Sequence, residues 1–116
     1  MDSDAGYALQ KIELAIIDMA TGPGDIKTRL KDAYTDHLHV INENDFPSSL
    51  KPFWIDIKNQ LTRKGAVQNE DGVVYIGAIS NTLHRMHRKT GSNIANNILV
   101  LRDRLIGYLE DVANKL

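Results

Sequence analysis

The sequence predicts an all-α fold, a bundle of about five helices that forms a single helical domain over residues 1–116. Apolar residues recur three and four positions apart in five successive segments, which is the spacing of one face of an α-helix. Glycines and prolines separate these segments, and the chain has the length of one ordinary domain. The one stretch that departs from this pattern, near residues 66–76, has room only for a small β-hairpin.

Composition indicates a soluble cytoplasmic protein. The chain is 42% hydrophobic and 25% charged, values typical of globular domains. Its net charge of -1 gives no overall attraction to nucleic acid or membranes. The absence of cysteine fits a reducing compartment, and the acidic first residues do not resemble a signal peptide. The longest apolar run, residues 98–101, is far shorter than the about 20 residues that span a bilayer.

The first helix is predicted over the segment that ends at Gly22. Ser3 or Asp4 is the expected N-cap, because short polar side chains accept hydrogen bonds from the first backbone N–H groups. Gly22 is the expected stop. Leu14 and Ile17 widen the apolar face of this helix, which predicts that it packs on two sides.

The next two helices are delimited by turn residues. The break at residues 22–25 predicts an antiparallel helical hairpin, with Asp25 as the cap of a second helix over residues 25–40. Pro47 and Pro52 flank the start of a third helix, and Pro52 is tolerated only in its first turn. Residues 64–65 end it.

The fourth helix is predicted from about Tyr75 to Thr90, with Gly91 just beyond its end and Ser92 capping the last helix. The last helix has the clearest pattern in the chain, and we expect it to pack against the first. Its apolar residues are spaced alternately four and three apart, as in a coiled-coil seam. They are Ile94, Ile98, Leu101, Leu105, Tyr108, Val112 and Leu116.

Further apolar residues on the last helix predict a protein interface. Leu99, Ile106 and Leu109 lie outside the seam, and with Leu116 they make the helix more apolar than one neighbour requires. Such a helix needs either two neighbours in its own bundle or one neighbour and another subunit. The sequence therefore predicts a non-catalytic interaction module, of the adaptor, regulatory or immunity type, that binds a protein partner or forms a homodimer.

Residues 84–89 suggest an alternative function. Arg85, Arg88 and Lys89 would share one face of a continuous helix, and they predict contact with nucleic acid by a regulatory protein. Basic side chains are also common in the last turn of a helix, where they interact favourably with its dipole. A nucleic-acid binder is accordingly the second hypothesis.

Metal binding and catalysis are not predicted. His84 and His87 are three positions apart and can share a helix face, while His37 and His39 are two apart and could share an ion only if the helix has already ended there. Neither pair belongs to a known zinc motif, and we expect all four side chains to be solvated. The chain also lacks a recognisable catalytic motif. We therefore expect no enzymatic activity, no cofactor and no small-molecule substrate.

Overall fold

The computed structural model describes residues 5–116, except for the side chains of Tyr75 and Ile76, and it confirms the predicted all-α class. The proposed N-caps Ser3 and Asp4 lie outside the described residues. The described chain contains five α-helices: α1 (Ala5–Thr21), α2 (Ile26–Asp36), α3 (Lys51–Thr62), α4 (Ala78–His84) and α5 (Arg88–Asn114).

The corner between α1 and α2 forms as predicted. The backbone N–H of Gly22 donates to the carbonyl of Asp18 at 2.8 Å, and a Cβ at Gly22 would lie 2.6 Å from that oxygen, so only glycine fits. Asp25 then caps α2. Its carboxylate accepts from the backbone N–H groups of Lys27 and Thr28 at 3.0 and 3.1 Å. The sequence correctly identified both the end of α1 and this cap.

Helix α2 is shorter than predicted. It ends at Asp36, and the chain continues through two tighter 3₁₀ turns, Leu38–Val40 and Glu43–Asp45. Leu38 and Ile41 are both buried, so the tighter path still directs these two apolar side chains into the core. The apolar spacing thus identified residues that are buried, but they reach the core from a 3₁₀ segment rather than from a longer α2.

Helix α3 begins as predicted, with Pro52 in its first turn, and it ends at Thr62. Side chains of α4 then form hydrogen bonds with the end of α3. The backbone N–H of Lys64 donates to the hydroxyl of the buried Thr82 at 3.0 Å, and the Asn81 amide donates to the Gly65 carbonyl at 3.0 Å. These bonds fix α4 against the carboxyl end of α3.

The segment that follows α3 contains the small hairpin anticipated from the sequence. Strand β1 (Val67–Gln68) pairs antiparallel with β2 (Val74–Ile76). The Asn69 side chain closes the turn by accepting from the backbone N–H groups of Asp71 and Val73, each at 2.9 Å.

The boundary between α4 and α5 differs most from the prediction. Helix α4 ends at His84, and α5 begins at Arg88 and continues through Gly91, so Ser92 lies inside a helix rather than at its cap. Gly91 is buried against α2. A Cβ there would lie 3.4 Å from side-chain atoms of Ile26 and Leu30. The prediction that Gly91 ends a helix was wrong, because this glycine provides close packing rather than a left-handed backbone conformation.

One hydrophobic core holds the helices together. Helix α5 packs against α1, α2 and α3, and α1 also packs against α2. The largest fully buried side chains are Trp54, Ile12, Leu30, Leu38, Ile41, Ile57, Leu61, Ile94, Ile98, Leu101 and Leu105. In residues 5–116, no helix combines the length and the apolarity that crossing a bilayer requires.

Candidate protein interface

The seam predicted on α5 is buried only in its first half. Ile94, Ile98, Leu101 and Leu105 are at most 1% exposed, whereas Tyr108 is half-buried and packs at the edge of the core. Residues 110–116 are all exposed. A helix of 27 residues is about 40 Å long. The carboxyl-terminal two turns of α5 therefore run past the part of the bundle that buries its seam.

A second row of residues follows the first along α5, displaced by one position. Four of its members are the predicted interface residues. Leu99 is 37% exposed, Ile106 and Leu109 are half-buried, and Leu116 is fully exposed. With the positions between them they continue the alternating spacing of four and three, and we call the whole row the outer seam. It consists of Ala95, Leu99, Arg102, Ile106, Leu109, Ala113 and Leu116, and it shares Leu116 with the first seam.

The outer seam contains a single charged residue. Arg102 lies near its middle, and its guanidinium binds the neighbouring Asp103 with an N–O distance of 3.0 Å. The Arg102 side chain is 32% exposed, so it is partly covered while remaining at the surface. Glu110 follows two turns later and is exposed. The seam thus has a positive group near its middle and a negative group beside its carboxyl-terminal part.

Helix α1 also has exposed apolar side chains, on the face opposite its buried one. Tyr7, Leu14 and Ile17 are 41%, 36% and 55% exposed. Leu14 and Ile17 were predicted to widen the packed face, but they follow Ile12 by two and five positions, which turns them far from the core-facing side. Within the described chain, α1 packs through one face only.

The three basic residues predicted to contact nucleic acid do not share a helix face. Arg85 follows the last residue of α4, whereas Arg88 and Lys89 are the first residues of α5. All three side chains are exposed. The Arg85 Nε donates to the Asn81 amide oxygen at 3.4 Å, while the Arg88 Nε binds Asp25 at 3.1 Å. The continuous positive stripe that motivated this alternative is therefore absent from the described helices.

Asp25 is held in its ionised form. The backbone N–H of Thr28 and then the guanidinium of Arg88 lower the pKa of this carboxyl below its ordinary value, since both groups bind the charged form. Asp25 thus caps α2 and joins it to the start of α5. The sequence identified the cap, but it gave no sign of the ion pair across 63 residues.

The four histidines are distributed over separate sites. His37 Nε2 lies 3.0 Å from a carboxylate oxygen of Asp18 and joins the end of α2 to α1. The His39 ring lies 6.4 Å from the Tyr34 ring, and His84 and His87 are exposed on either side of the turn between α4 and α5. Among the described residues, no three histidine or acidic side chains are grouped as metal ligands.

The apolar outer seam of α5 is the predicted site that the structure leaves partly uncovered. Except for Leu116, which follows the end of α5, its residues come from one helix, so their relative positions are fixed by helix geometry. Comparison of the chain with protein-family models, with curated protein sequences and with solved structures gives no match.

Proposed function

We propose that this protein is a non-catalytic interaction module, of the adaptor, regulatory or immunity type, that forms a homodimer through the outer seam of α5. The observation that carries the proposal is the incomplete burial of that seam. Leu99 and Leu116 are exposed, although apolar residues recur along the whole helix. A second copy that covers them removes apolar surface from water, which stabilises the complex.

The carboxyl-terminal turns of α5 support the same proposal. Residues 110–116 are exposed and lack the buried apolar face that stabilises most protein helices. Val112 is 41% exposed and Leu116 fully so. Full burial of such a side chain contributes about 1.5–3 kcal/mol to stability. A partner that covers Val112 and Leu116 would therefore gain part of this free energy. Dimerisation stabilises both the seam and the helix end.

Charge favours a second copy in the antiparallel orientation. A parallel symmetric pair would place Arg102 of one protomer against Arg102 of the other, and like charges in close contact disfavour association. An antiparallel pair separates them. With its twofold axis between Ile106 and Leu109, each Arg102 faces the small Ala113 of its partner, close enough to Glu110 for an ion pair.

The same register pairs the large apolar residues of the outer seam with one another. Leu99 lies opposite Leu116 of the partner, and Ile106 lies opposite Leu109. In this register the exposed carboxyl-terminal end of each protomer covers the part of the outer seam around Leu99 in the other protomer. This reciprocal arrangement is the isologous contact expected of a twofold dimer.

Light scattering after size-exclusion chromatography tests the association. We expect the wild-type chain to elute as a dimer of 13.0 kDa protomers. The double variant Leu99→Lys and Leu116→Lys is expected to elute as a monomer with unchanged helical content, since both positions are exposed. Val73→Lys, at a 57% exposed position outside α5, is the matched control and should leave the dimer intact. A wild-type monomer at millimolar concentration would overturn the proposal.

The relative orientation of the two α5 helices can be measured separately, because a sequence without cysteine can be labelled at one introduced cysteine. A spin label on Lys115→Cys is the only labelled site in each protomer. In the antiparallel register, two such positions are separated by about 22 Å along the helix axis. In a parallel pair they lie about 10 Å apart. Electron–electron distance measurement distinguishes the two arrangements, and a short distance would refute the antiparallel one.

Two further parts of the proposal follow from the composition and the absence of catalytic motifs. The proposed compartment is the cytoplasm, since a chain without cysteine draws no stability from disulfides and is suited to reducing conditions. The proposed activity is binding alone, because the outer seam presents apolar groups and one ion pair rather than an acid, base or nucleophile.

A further inference from the structure

A cleft between α2 and α4, remote in sequence from the outer seam, collects hydrogen-bond donors. Its volume is about 470 Å³. Its lining comes from α2 with its cap and from α4: Asp25, Lys27, Thr28, Lys31, Ser80, Asn81, Leu83 and His84. The two ammonium groups and two hydroxyls can donate to oxygen, whereas the Asn81 amide already donates to the carbonyls of Lys64 and Gly65. Such a lining is suited to an anionic ligand with several acceptor oxygens.

Lys27 is held in position within this cleft. Its ammonium donates to the Met86 carbonyl at 3.1 Å and approaches the His84 carbonyl at 3.5 Å. An ammonium has three donors, so one remains for a ligand. Because the side chain is already ordered by the turn after α4, a bound anion imposes little further loss of side-chain entropy.

The one carboxylate in the cleft lining does not cancel the positive charge. Asp25 accepts from two backbone N–H groups of α2 and from the Arg88 guanidinium. Its charge is thus largely compensated by groups other than the two lysines. Lys31 is exposed and takes no part in the cap of α2. With the Asp25 charge compensated, the two lysines give the cleft a net positive charge.

The tertiary structure brings further basic residues beside α4. The bond from the Lys64 backbone to Thr82 brings the basic end of α3, at residues 63–64, beside α4. Arg85 binds the side chain of Asn81, which lines the cleft. Residues 63–64 and Arg85 therefore lie beside α4, which forms one wall of the cleft, although they are not part of its lining and the chain as a whole is slightly acidic. Such local concentration of charge attracts polyanions.

We propose that the α2–α4 cleft is a binding site for phosphate groups, with Lys27 and Lys31 as the charged contacts and Thr28 and Ser80 as neutral donors. The shared chemistry is the phosphate oxygen, whether it belongs to a compact phosphate or to the backbone of a nucleic acid. This site is independent of the proposed dimer, since none of its residues belongs to the outer seam.

Two-dimensional ¹H–¹⁵N NMR tests the proposal. Wild-type protein is titrated with inorganic phosphate, pyrophosphate and a short single-stranded oligonucleotide. We expect the amide signals of residues 25–31 and 80–84 to shift with at least one of these probes. Pyrophosphate that binds as tightly as the oligonucleotide identifies a compact ligand. An oligonucleotide that binds more tightly, with steep loss of affinity in salt, identifies a phosphodiester chain.

Three variants make the test specific. Lys31→Ala should weaken binding about two- to fivefold, the effect of one exposed charge contact. Asp25→Asn retains a capping side chain, and because Arg88 and two backbone N–H groups already compensate the Asp25 charge, it should change the affinity less than Lys31→Ala does. Lys115→Ala removes an exposed lysine at the far end of α5 and should change nothing. Absence of shifts with all three probes, or equal affinities for Lys31→Ala and Lys115→Ala, would overturn the proposal.

Discussion

Trp54 is the residue that fills the centre of the core between α3 and the preceding turn. It is 1% exposed, and its ring stacks on Phe46 with a centroid distance of 5.5 Å. Its indole N–H finds no hydrogen-bond acceptor among the residues that the structure describes. A buried donor without a partner costs about 1–3 kcal/mol, so the packing of Trp54 is stabilising while its nitrogen is not.

The substitution Trp54→Phe separates these two effects. Phenylalanine keeps an aromatic ring beside Phe46 and removes the unpaired N–H, so the free energy of unfolding should change by less than about 1.5 kcal/mol. Trp54→Ala should lower it by about 3–5 kcal/mol, because it creates a cavity. Urea unfolding followed by circular dichroism measures both changes. Equal losses in the two variants would contradict the expectation that an aromatic ring beside Phe46 supplies most of the stabilisation.

Single residues also differ in how well the sequence revealed their roles. Asp25 and Pro52 act through the first turn of the helix that they begin, so their positions beside an apolar pattern were sufficient to assign them. Gly91 acts through contact with Ile26 and Leu30, which are more than 60 positions away. No local pattern distinguishes a glycine that ends a helix from one that allows two helices to approach.

Among the helices, α5 shows how local and tertiary effects combine. Its alternating apolar spacing predicted a long helix, and it is the longest of the described helices. The same spacing could not show which residues the bundle covers. The inner residues through Leu105 are buried, while the outer seam and the last turns remain accessible, because α1, α2 and α3 surround only part of the helix.

Glycines at two positions should respond oppositely to alanine. Gly107 lies inside α5, and a Cβ there has no neighbouring atom within 4 Å among the described residues, so Gly107→Ala should raise the free energy of unfolding by about 0.5–1 kcal/mol. Gly22→Ala should lower it, since the new Cβ would lie 2.6 Å from the Asp18 carbonyl oxygen. Chemical denaturation of both variants provides the comparison, and stabilisation by Gly22→Ala would contradict the described corner.

At the scale of the whole molecule, the bundle is elongated. Its extents are 55 × 30 × 19 Å, and its radius of gyration of 15.2 Å exceeds the about 13 Å of a compact domain of this length. Helix α5, with its exposed end, accounts for part of this shape. An elongated monomer exposes more surface for its volume, which is consistent with an additional subunit contact.

The thermal stability of the protein should therefore depend on its concentration. Dimerisation adds free energy to folding by mass action, about 2.7 kcal/mol for a partner present at a hundred times its dissociation constant. We expect the melting temperature to rise by several degrees over a hundredfold increase in concentration. The double variant Leu99→Lys and Leu116→Lys should melt at a temperature independent of concentration. The same dependence in wild type and variant would exclude the outer seam as its cause.

The sequence by itself determined the all-α class, the approximate number of helices, the small hairpin, the cap at Asp25 and the apolar excess of α5. Each of these depends on residues within a few turns of one another, where spacing and backbone preference act directly. The tertiary structure alone decided where α4 ends, that Gly91 contacts α2, that α1 packs through one face, and which basic residues meet beside α4. Those features depend on side chains that are distant in sequence and pack in the same core. The local spacing of apolar residues therefore does not predict them.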